Sequence, residues 1–210
     1  MENLSNSPNT LRSLLRAHVW PLHQRLDQSP TLQALTRPDL DAPSYSRVLG
    51  RFRTAYQHIE PNVAALERVV KHDIGQAAIP AYQPRLPSLK NEHALFSRSE
   101  PSDPVASTLL PPLPEVRCPL STYLGSRYVL EGASQGTPHV LRALQHHHPE
   151  WPVHPEGYWH TLLAQVPAWR QLCLLLDTPQ NHKPVTLSEL QQGATWVFES
   201  FIASLSPPAH

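Results

Sequence analysis

The chain has 210 residues, 17 Lys+Arg against 17 Asp+Glu, two cysteines, 24 prolines and 13 histidines. A chain of this length buries roughly 70% of its unfolded surface, enough for one large domain with a real core. The balanced charge offers no basic excess to follow a phosphate backbone, so nucleic acid is not an expected partner. No apolar stretch approaches the ~20 residues needed to cross a bilayer, and the densest, residues 172–176, stops at Asp177. With no apolar signal region and no CxxC pair, the expectation is a cytoplasmic protein with free thiols and no membrane partner.

From Leu11 the apolar residues Leu11, Leu14, Leu15, Val19, Leu22 and Leu26 recur in steps of three and four, which predicts a first helix starting at Ser7-Pro8 or Thr10. A second, longer helix is predicted from Asp41-Ala42-Pro43 through Val70, kinked at Pro61. Residues 79–119 lose the period and collect prolines, which predicts a long connection; within it only residues 86–96 suit a short helix. A third helix is predicted from Leu120 through Tyr128 and Leu130, bent or broken at Thr137-Pro138, and resuming with Val140, Leu141 and Leu144. His146-His147-His148 precedes Pro149 and reads as a solvated turn. Residues 157–166 and 168–176 read as two helices, or as one broken at Pro167. Thr186-Leu187-Ser188-Glu189 is a capping box in which the threonine oxygen and the glutamate carboxylate satisfy amide donors reciprocally; it opens a last helix running to Leu205. Strand alternation, internal repeats and nucleotide-binding fingerprints are absent. The expected architecture is all-α, one helical domain over residues 1–210 with a Pro-rich connecting segment.

Arg16 and His23 are seven apart, two turns along one helix face, with Val19 between them. His18 is a rival histidine about 140° around the same helix. An imidazole and a guanidinium on one face suit a ligand with a metal centre and a carboxylate edge. The alternative is a satisfied or solvent-facing histidine beside a snorkelling arginine. Gly132 and Gly136 also share a helix face, and each costs about 1 kcal/mol relative to alanine. Close packing of another helix, or a flat ligand lying against bare backbone, would offset that cost. Glu60, Glu131 and the scattered histidines do not make the paired Glu-x-x-His pattern of di-iron bundles.

Two segments together carry a resemblance: LR-x6-H-x2-LD over residues 15–27 and YVLEG-x3-G over residues 128–136. In their order and separation the chain resembles the bacterial haem oxygenases, particularly those associated with bacteriophytochromes. Ala168-Trp169-Arg170 and the last helix add weaker similarity. The resemblance implies a haem-oxygenase-like bundle holding haem, both substrate and cofactor, between a proximal and a distal helix. It implies His23 as the axial metal ligand, with Arg16, Val19, Tyr128 and Arg170 as further haem-binding residues and the two arginines at propionate-binding positions. It implies a distal site of Gly132, Ser134, Gly136 and Thr137, where backbone comes close to the reacting oxygen. The implied activity is O2- and reductant-dependent cleavage of haem to biliverdin, CO and iron. Its implied partners are an electron donor such as a ferredoxin or reductase, and a bacteriophytochrome.

The chain departs from the family at four places. Thr137 stands where a second glycine is usual, and Pro138 follows it; Val19 replaces a threonine, and Pro21 lies two residues before the histidine. Thr137 is expected to narrow the distal pocket or to donate a hydrogen bond into it. The alternative expectation is a non-catalytic haem-binding or interaction protein on the same fold.

Overall fold

Periodicity of three and four dominates the sequence, and every regular element among the described residues is a helix. The computed structural model describes residues 10–74, 80–97, 110–151, 157–178 and 185–206. In chain order the helices are α1 (Leu11–Asp27), α2 (Pro30–Ala34), α3 (Ala42–Ile74), α4 (Leu86–Phe96), α5 (Pro119–His147), α6 (Tyr158–Leu163), α7 (Val166–Asp177) and α8 (Leu187–Leu205). None is long and apolar enough to cross a membrane.

Thr10 starts α1, its hydroxyl accepting from the Ser13 amide at 3.2 Å. Ser7-Pro8 lies outside the described residues. The short helix expected within the Pro-rich connection is α4, and Val166-Pro167 opens α7 where proline's missing amide is harmless. Of the bend or break expected at Thr137-Pro138, no break occurs: α5 runs unbroken through Pro138, as α3 does through Pro61. Packing along α5 from α8, α7, α6 and α3 overrides the local cost of the proline.

α8 touches α1, α3 and α5, and its apolar residues Leu190, Ala194, Val197 and Phe201 join one cluster with Leu15, Val19, Leu49, Ile59, Leu124 and Leu130. Its crossing with α5 is close enough to demand glycine twice. A Cβ on Gly125 would run into the Leu190 carbonyl, and one on Gly193 into the Thr122 carbonyl. The proposed capping box is not formed. Thr186 makes no side-chain cap, and Glu189 instead reaches across to the start of α5, accepting from the Arg117 and Cys118 amides and the Thr122 hydroxyl. The orphan donors of α5 thus outcompete those of α8 for the same carboxylate.

Charges are buried in the core beneath α5. The fully buried Glu131 carboxylate accepts from Arg85 Nη2 at 2.5 Å and from Arg127 Nε at 2.6 Å, and Glu60 accepts from the Tyr82 hydroxyl and the Arg85 amide. His148 is not a solvated turn residue. α5 extends to His147, and the buried His148 ring stacks on Trp151 at 4.1 Å.

Candidate functional site

Helix α1 turns Leu15 and Val19 into the core and leaves Arg16, Trp20 and His23 on its outer flank. The His23 side chain is 49% exposed, lies over Trp20 with ring centroids 5.5 Å apart, and meets the edge of Phe198 from α8 at 6.0 Å. One turn on, Asp27 Oδ2 lies 2.8 Å from His23 Nδ1. A carboxylate there favours hydrogen on Nδ1, and Nε2 has no hydrogen-bond partner among the described residues. His18, the rival histidine, is engaged: its Nε2 lies 3.1 Å from the Thr195 hydroxyl.

α1 and α5 make no extensive contact with each other, and α7 and α8 each touch both. Where the two flanks approach, Tyr128 of α5 sits near Arg16 and Arg12 of α1. Burial pushes its phenol up to about 12, Cys173 adds to that shift, and the two guanidiniums oppose it. Arg12 is tied to Asp177 of α7 at 2.8 Å. Arg16 is exposed, its guanidinium 5.9 Å from the Trp20 ring. Arg170 is exposed on α7, next in sequence to the half-buried Trp169.

The two glycines of the outer α5 face have different surroundings. A Cβ on Gly132 would make ordinary contact with the Trp169 indole, 3.4 Å from Cζ3; a Cβ on Gly136 would meet nothing within 4 Å. Packing by another of the described helices therefore does not account for Gly136. Ser134 and Thr137 lie about 160° and 140° around α5 from Gly132. Both are buried, and their hydroxyls donate to the Glu131 carbonyl at 2.7 Å and the Ala133 carbonyl at 2.9 Å. The structure thus brings Tyr128, Gly132 and Gly136 onto one face, with Arg16 near Tyr128. It does not bring Ser134 and Thr137 there, and it places Val19 in the core.

Two of the three partners of this site lay beyond the reach of local spacing. Asp27 was visible at i+4 from His23, the spacing at which helix residues meet. Trp169 and Phe198 come from other helices, and nothing local in the sequence marked their approach. Among the described residues no group of three or more His, Cys, Asp and Glu side chains converges. Compared with protein-family models, curated proteins and solved structures, the chain gives no match.

Proposed function

We propose that the protein binds haem between α1 and α5 with His23 as axial ligand, and that it opens the ring to biliverdin, CO and iron using O2 and electrons from a ferredoxin or reductase. One observation carries the reading: the His23 imidazole is half-exposed and oriented by Asp27, so that Nε2 is free to bind a metal. The bare backbone at Gly136, open among the described residues, suits a flat ligand. Haem, when bound, supplies both the iron that takes O2 and the porphyrin carbon that is oxidised.

The chain's own residues hold and orient it. Asp27 accepts from the imidazole Nδ1–H and fixes the ring plane. Arg16, with the Tyr128 hydroxyl close by, suits a propionate carboxylate. The Glu131 carboxylate is taken up by Arg85 and Arg127 on the core side of α5, so it puts no acid on the glycine face. That favours ring oxidation over the O–O cleavage that a distal acid promotes.

Purified protein mixed with hemin is expected to give a Soret band that is lost in His23→Ala; a band unchanged in that variant rejects the ligation. Adding reductant and air, with a ferredoxin system as donor, is expected to replace the haem spectrum with that of biliverdin. A second reading, a haem-binding protein without turnover, is favoured by one feature. The Thr137 hydroxyl is spent on its own helix backbone, so it gives the distal face no donor. A His23-dependent Soret band with no ring opening under any donor would select that reading.

A further inference from the structure

The Trp169 indole occupies the layer that a porphyrin would need over half of the glycine face. Its six-membered ring lies 3.4, 3.7 and 3.9 Å, through Cζ3, Cη2 and Cε3, from the position of a Cβ on Gly132. A flat ligand resting on helix backbone requires that same van der Waals layer, so ring and porphyrin cannot both cover Gly132. At Gly136 the layer is open.

The indole is also braced. It packs on the Tyr128 ring with centroids 4.9 Å apart, and its helix is anchored by the buried Ala168, Leu172 and Leu176. Two turns on from Trp169, the Arg12–Asp177 ion pair fastens α7 to α1. A side chain held on these sides makes a wall rather than a swinging cover.

We propose that Trp169 belongs to the ligand site as a fixed aromatic wall, seating the tetrapyrrole over Gly136 with its edge against the indole instead of over Gly132. This rests on the haem reading above. It assigns Trp169 a role that the glycine spacing alone would have given to Gly132.

Hemin titrations of the wild type, Trp169→Phe and Trp169→Ala, read by absorbance and by circular dichroism in the Soret region, test the proposal. The His23-dependent Soret band is expected in all three. Affinity is expected to fall roughly tenfold in Trp169→Ala and less in Trp169→Phe, as the aromatic contact is lost or reduced. The Soret dichroism should change in Trp169→Phe and not in Trp151→Phe, which alters a tryptophan stacked on His148. Unchanged affinity and dichroism in both Trp169 variants overturns the wall. Tighter binding in Trp169→Ala also overturns it, by making the indole a plug over Gly132. Absence of any His23-dependent band in the wild type instead removes the haem reading, and this inference with it.

Discussion

In the first half of α5, residues 121–128 are buried all the way round, and Gly125 lets the α8 backbone cross without side chains between them. In the second half, beyond Gly132, buried and exposed positions alternate, and Gly136 is exposed with nothing over it among the described residues. Glycine carries the same helix penalty in both places. At position 125 close packing offsets that penalty, whereas at position 136 nothing among the described residues does. The difference separates a glycine that close packing requires from one that the described residues leave open.

The largest effect should come from the inner side of the covered half. Glu131→Gln leaves two buried guanidiniums without their shared anion, and urea unfolding is expected to show a loss of about 3–5 kcal/mol. Gly125→Ala drives a methyl into the Leu190 carbonyl and should cost about 2–3 kcal/mol by the same measurement. A loss below about 1 kcal/mol would mean that α5 and α8 can separate freely, and the contrast between the two halves would weaken.

On the open side, Asp27→Ala removes an exposed carboxylate and should change folding stability by no more than about 0.5 kcal/mol. Hemin titration of this variant should nevertheless show affinity lowered about 10–100-fold, the range expected when a ligand histidine loses its orienting partner. A variant with intact affinity would separate His23 from the role given to it.

Helix positions were largely legible in the sequence because the apolar period is a local property, as at Leu11 to Leu26 or Leu190 to Leu205. What was not legible depends on partners distant in the chain. Arg127 and Glu131 stand at ordinary i,i+4 spacing, and nothing local marks that the pair is buried together with Arg85, 46 residues before Glu131. Thr186 and Glu189 spelled a capping box, yet the start of α5 claimed the carboxylate. At the candidate site, His23 and Arg16 stood out because one helix sets their spacing, and the same spacing puts Asp27 one turn from His23. Trp169 was not, since the α7–α5 packing that lays it on Gly132 is tertiary. Thr137 looked like a distal residue by its place in the motif, and the helix phase turns it inward.

Gly136→Ala, followed by urea unfolding and by hemin titration on the same preparation, tests the central claim most directly. The account predicts opposite signs: the unliganded protein gains about 0.5–1 kcal/mol of stability, because alanine is the better helix former in open space, while hemin affinity falls roughly tenfold. A stability gain with hemin affinity unchanged would contradict it, since the bare backbone at Gly136 would then serve no ligand.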